Sequence, residues 1–162
     1  MAHDKAAESF WRFSLLVYAR PGAAEALIRL QDAGGHNVNL ILFGLWRAVC
    51  GGRKLDAAGL TRARAALSGL DRDVVAPLRR LRRALKAADP DPDIRDMRRR
   101  ILVLELAAER RVQARLAASV KTRPAVKAAD RAALAKANLR LILGDDAGSA
   151  EATALRDAMV GV

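Results

Sequence analysis

Few groups in the chain can do covalent or metal chemistry: two imidazoles (His3 and His36), one thiol (Cys50), and two glutamates four residues apart, Glu105 and Glu109. A nucleophile needs an adjacent base, and a metal needs ligands converging at helical or loop spacing. The sequence has no His-Glu-x-x-His, no Glu-x-x-His and no Cys-x-x-Cys. Enzyme chemistry is therefore not expected, and no metal or other cofactor is called for. Gly51-Gly52-Arg53-Lys54 has part of the look of a phosphate loop, but it lacks the preceding strand and the second half of that motif. It reads as a helix stop followed by a basic turn. Cys50, on an apolar helix, reads as a small buried hydrophobe rather than a reactive thiol.

The glutamates are the more informative pair. Ile94, Met97, Ile101, Leu104, Ala108 and Val112 recur at helical spacing, and this stripe sets both carboxylates at its edge. A partly buried carboxylate needs a partner. Arg98 is close to both in helical projection, and the preceding helix is rich in arginine, so a structural ion-pair network of Glu105, Glu109 and Arg98 tying two helices is expected. Acid-base catalysis or cation binding is the alternative use of such a pair.

Upstream, Leu78, Leu81 and Leu85 share one helical face, while Arg79, Arg80, Arg82, Arg83 and Lys86 share the other. A basic amphipathic helix suits an acidic protein partner, nucleic-acid phosphates or an anionic membrane surface. Residues 51–123 carry 19 basic and 9 acidic side chains of the chain's 29 and 18, or +10 of its net +11. The interleaved acids would repel an extended phosphate backbone, so an acidic protein is the expected partner and nucleic acid is disfavoured. Ala66-Leu67-Ser68-Gly69-Leu70 followed by Val74, Val75 and Leu78 has helix-turn-helix spacing. However, Pro77 would distort the second helix, and Asp71 and Asp73 occupy its DNA-facing end.

All six aromatics lie in the first 46 residues. Trp11, Phe13, Leu42 and Trp46 are expected in the main core. Trp11, Tyr18, Asn39, Phe43 and Trp46 form the alternative site, a small-molecule pocket within the aromatic helices. Asn39 sits between Phe43 and Trp46 in projection and needs partners if buried. The expected ones are backbone groups of the Gln31 to His36 turn.

These residues need helices to position them. Period-2 alternation is nearly absent, and Ala is abundant, so the fold class is all-α. Helices are predicted over about Ala6 to Tyr18, Gly22 to Asp32, an Asn37-capped segment to Gly51-Gly52, Asp56 to Leu67, and Asp71 to Ala87 with Pro77 kinking the last or delaying its regular part. Asp89-Pro90-Asp91-Pro92-Asp93 is a stop, with Asp93 capping a helix to about Ala118. Thr122 to Pro124 turns the chain into a helix ending near Gly144, and Ser149 caps a short last one. Eight helices in a single-domain bundle are expected for 162 residues. An apolar content of 52% excludes a disordered chain. The stretch Val38 to Trp46 is too short to span a bilayer. One cysteine and an N-terminus without export-signal features point to a reducing cytoplasm.

Phe10-Trp11-Arg12-Phe13-Ser14-Leu15 with Val17-Tyr18, Leu30-Gln31-Asp32, Asn37-Val38-Asn39-Leu40-Ile41-Leu42-Phe43 with Leu45-Trp46, Val74-Val75, Pro77-Leu78 and the Leu81 to Lys86 run form an ordered set. Over roughly residues 8 to 110 the chain thereby resembles a family of short proteobacterial proteins catalogued only as a domain of unknown function. The resemblance implies a bacterial, helical, cytoplasmic protein. It supplies no activity, cofactor or catalytic residue.

Overall fold

Among the described residues, eight α-helices form between the breaks that Pro, Gly and capping residues impose. The computed structural model describes residues 2–88, 91–120 and 130–159. The helices are α1 (Ala2–Tyr18), α2 (Ala23–Asp32), α3 (Val38–Val49), α4 (Ala57–Leu67), α5 (Ala76–Ala88), α6 (Pro92–Ala118), α7 (Arg131–Leu143) and α8 (Ala150–Asp157), with no strand among the described residues. Asp89, Pro90, the Thr122 to Pro124 turn and the His3 side chain lie outside the described residues.

Local chemistry accounts for the boundaries. Asn37 Oδ1 accepts from Leu40 N at 3.1 Å, Asp56 Oδ1 from Gly59 N at 2.6 Å, and Ser149 Oγ from Ala152 N at 3.2 Å, each satisfying an amide that the helix start leaves free. The cap of α6 differs from expectation: Asp91, not Asp93, accepts, from Asp93 N at 2.8 Å, because Pro92 occupies the first helical position. Pro77 delays regular helix as its missing N–H requires, and a π-helical turn over Asp71–Val75 precedes α5. That turn occupies the start of the would-be recognition helix, and Arg72 in it is paired with Asp73 at 2.6 Å.

The core is built around α3, which packs against α1, α2, α6 and α7 and buries residues from Val38 to Leu45 together with Ala48. Phe10, Phe13 and Val17 of α1, Leu27 and Leu30 of α2, Val112 and Leu116 of α6, and Leu139 and Ile142 of α7 complete it. Gly44 lets α3 and α7 approach closely: a Cβ there would stand 2.4 Å from Ile142 Cδ1. Phe13 and Leu42 are buried as expected, whereas Trp11 and Trp46 are only partly buried at the rim. No helix among the described residues is long and apolar enough to cross a membrane.

Candidate functional site

The predicted leucine-facing side of α5 is not what anchors it. Leu81 is exposed and Leu78 and Leu85 are only partly covered, while Arg79 and Arg82 turn inward onto α6. Arg82 Nε donates to Glu105 Oε2 at 2.5 Å and its Nη2 to Oε1 at 3.1 Å, a two-pronged contact that fits a planar guanidinium. Arg79 Nε donates to Glu105 Oε1 at 3.2 Å, its Nη1 to Gln31 Oε1 at 2.6 Å, and its Nη2 to Glu109. Thus α2, α5 and α6 meet at one ion-pair network. Arg98 is not a member, and its Nε is buried without a hydrogen bond among the described residues.

The orientation of α6 explains the difference. Glu105, at 3% exposure, lies within the buried stripe of Ile101, Val112 and Leu116 rather than at an edge, whereas Met97 and Leu104 face outward. Desolvation pushes the Glu105 carboxyl upward, but the hydrogen bonds and charge of Arg82, reinforced by Arg79, outweigh it and hold the carboxyl below the ordinary glutamate value. For Glu109 the balance reverses, because burial raises the carboxyl despite Arg79, with Glu105 and Asp71 adding to the rise. Every oxygen of Glu105 accepts from arginine, which leaves the pair little capacity for a cation. No group of three or more potential metal ligands occurs among the described residues.

Of the remaining basic face, Arg83 pairs with Asp32 at 3.2 Å, and Arg80 and Lys86 are exposed without ion pairs among the described residues. The expected face of four arginines and one lysine is therefore divided, two members inside and three out.

Of the aromatic residues, Phe43 and Trp46 come together with Phe10. Phe43 is fully buried, and its ring centroid lies 6.0 Å from both Phe10 and Trp46, while Phe10 stacks on Trp46 at 5.2 Å. Trp46 Nε1 donates to Ser9 Oγ at 3.1 Å. Trp11 meets Arg110, whose guanidinium carbon is 5.7 Å from the ring centroid, and Tyr18 is exposed near Glu109. Asn39 does not bond the Gln31 to His36 turn. Its Oδ1 accepts from Gln113 Nε2 at 3.0 Å, and Gln113 Oε1 accepts from Ser14 Oγ at 3.2 Å, a buried polar chain across α3, α6 and α1. His36 Nε2 lies 2.7 Å from Asp146 Oδ2. Cys50 is exposed at the end of α3 rather than buried, and desolvation raises its thiol above the ordinary value, only partly offset by Arg131.

A family model described as "Protein of unknown function (DUF2390)" matches residues 9–116. The chain belongs to that family. No curated protein and no solved structure matches the chain. The DUF2390 segment takes in the network of Arg79, Arg82, Glu105 and Glu109 and the Ser14, Asn39 and Gln113 chain, and it ends two residues short of the α6 terminus. It leaves α7 and α8 outside.

Three buried polar residues, Ser14, Gln113 and Asn138, are not among those the sequence singles out. Asn138 of α7 is fully buried, its Oδ1 accepting from Leu55 N at 2.7 Å and its Nδ2 donating to Gly44 O at 2.9 Å and Arg53 O at 3.1 Å. It pins the segment after α3 onto α7. The sequence signal was a lone amide between apolar residues of an otherwise Ala/Leu-rich helix.

Proposed function

We propose that this protein is a non-enzymatic adaptor whose α5–α6 hairpin docks an acidic, amphipathic segment of another protein. The observation that carries the reading is the apolar surface left on α6: Leu102, Val103, Leu104 and Leu106 are all exposed, Val103 by 65% and Leu104 by 58%, with Met97 and Leu81 nearby in the hairpin. An apolar patch of this kind on a helix otherwise rich in charge marks an interaction surface. Its rim supplies the chemistry of the partner. Arg80, Arg95, Arg99, Arg100 and Arg111 are exposed on the same two helices, and Asp96 pairs with both Arg99 and Arg100.

A second copy of the chain fits poorly, since apposed α6 helices would bring these arginines together. Nucleic acid is served by the charge but not by exposed leucine and valine. An acidic helix with one apolar face matches both features. A single cysteine and the absence of a membrane-crossing helix among the described residues are in keeping with work in a reducing, aqueous compartment.

The test compares wild type with Val103→Asp and with Arg99→Glu/Arg100→Glu in affinity capture, followed by reconstitution from purified components. One acidic protein that binds wild type at a fixed stoichiometry and is lost with both variants supports the reading. Val103-dependent self-association, or nucleic acid as the only salt-resistant companion, overturns it.

A further inference from the structure

A second charged feature lies at the C-terminal end of α6, where it meets α3 and α4 around an open cavity of about 600 Å³. Four cationic side chains, Arg47, Arg53, Lys54 and Arg62, line it against one carboxylate, Asp56. Local structure brings them together. After α3 the chain reverses at Gly52, whose φ of 60° is left-handed, and Arg53 N donates to Arg47 O at 3.0 Å, folding the basic turn back over the helix end. Asn138 holds Arg53 O and Leu55 N from behind, so this wall is fixed. Arg62 reaches back toward the first turn of α4, its Nη2 lying 3.8 Å from where a Gly59 Cβ would stand.

Asp56 Oδ1 is committed to the α4 cap, and neither Arg47 nor Arg62 forms an ion pair among the described residues. Arg47 Nε is buried with no hydrogen bond among the described residues. Burial, followed by the neighbouring Arg53 charge, lowers the Arg47 guanidinium from its ordinary value; Asp56 opposes the drop in part and Arg62 adds to it. Like charges gathered at a partly buried site oppose folding unless an anion joins them.

We infer that the Arg47, Arg53 and Arg62 cavity binds the phosphate groups of a small phosphorylated molecule. Forked guanidiniums suit phosphate oxygens, and the first turn of α4 faces the same space. Leu55 and Val120 give the cavity an apolar wall for the organic part, and its volume is that of a small-ligand site rather than a track for a polymer backbone. The basic turn that looked like an incomplete phosphate loop thus acquires its anion-binding partners from α3 and α4, not from a helix directly after it.

The test is calorimetric titration of the full chain with orthophosphate, pyrophosphate and ADP at constant ionic strength. Saturable binding at one site per chain is expected. Tighter binding of pyrophosphate than of orthophosphate identifies a diphosphate-bearing ligand, and equal affinity a phosphate monoester. Arg47→Gln and Arg62→Gln should each weaken binding by about tenfold or more, while Arg80→Gln on the outer face leaves it unchanged. Without ligand, Arg62→Gln should melt no lower than wild type, because it relieves repulsion; a merely structural arginine would show a drop. No saturable binding of any of the three anions, equal loss with Arg80→Gln, or an Arg47-dependent preference for an oligonucleotide would overturn the inference.

Discussion

Arg79 and Glu105, 26 residues apart, join through Arg79 Nε and Glu105 Oε1 at 3.2 Å, and this contact sets which face of α6 is buried. Removing the carboxylate takes from Arg82 its ion-pair partner and leaves Arg79 with Glu109 and Gln31. Glu105→Gln should cost ~3 kcal/mol, as breaking a buried pair from one side does. Replacing Glu105, Arg79 and Arg82 together by Met should restore much of that loss. Urea denaturation of the single and triple variants checks both, and a Glu105→Gln protein of unchanged stability would contradict the network's structural role.

Metal ions provide a separate check on the same carboxylates. Mg²⁺, Mn²⁺, Fe²⁺ or Zn²⁺ should leave the melting temperature unchanged, because only a ligand bound to the native state shifts it and Glu105 already accepts arginine protons on both oxygens. A saturable stabilisation abolished by Glu105→Gln would reverse this conclusion.

The pH dependence has a worked sign for each group. The folded Glu105 carboxyl lies below its ordinary 4.5, so its stabilisation is present above that value and is lost as pH falls through the lowered one. Glu109 is raised, so its contribution runs the other way, present at acid pH and lost as pH rises through the raised value. Tyr18 is pushed from 10.0 up to about 12 by desolvation and by Glu109, even though the residue is 42% exposed. Its stabilisation is complete below 10.0 and disappears as pH climbs through about 12. As the chain has one tyrosine, alkaline titration of tyrosinate absorbance reads it directly, and Glu109→Gln should lower the midpoint.

Particular residues show what the sequence makes legible. Pro21-Gly22, Gly51-Gly52, Asp56 and Ser149 act through local backbone chemistry, so the helix ends they impose can be read from neighbouring residues. The facing of α6 could not be read in this way. From Ile101 to Leu106 the helix is apolar nearly all round except for Glu105, so periodicity defines no unique face, and the choice is made by arginines on α5. Arg98 looked suitable because helical projection sees only its own helix. The cationic cavity was hidden for a related reason: Arg47, Arg53 and Arg62 are brought together by a chain reversal and by Asn138, which bonds Leu55 from 83 residues away.

The aromatic residues separate core from rim. Phe43 is fully buried against Phe10 and Trp46, so Phe43→Ala should cost ~3 to 5 kcal/mol. Trp46→Ala removes a half-buried ring and the Ser9 hydrogen bond and should cost less. Chemical denaturation that ranks Trp46→Ala as the more damaging change would place the centre of the core elsewhere.

Asn138 provides the most demanding prediction, since one amide serves three backbone groups on two segments. Asn138→Leu keeps the side-chain size but takes from Leu55 N its acceptor and from Gly44 O and Arg53 O a donor, Gly44 O keeping its place in the α3 ladder. Each unsatisfied buried group costs ~1 to 3 kcal/mol, so the total should exceed the loss from any single surface ion pair. Asn138→Asp tests the direction of the bonds: its carboxylate can still accept from Leu55 N, but it would face the oxygens of Gly44 and Arg53 with no proton to offer. It should therefore destabilise as well, and lose part of the penalty on acidification, when the protonated carboxyl regains a donor. Hydrogen exchange should report earlier opening of the Arg53 to Leu55 segment in both variants. Wild-type protection of Leu55 N in Asn138→Leu would show that the segment is held by other contacts.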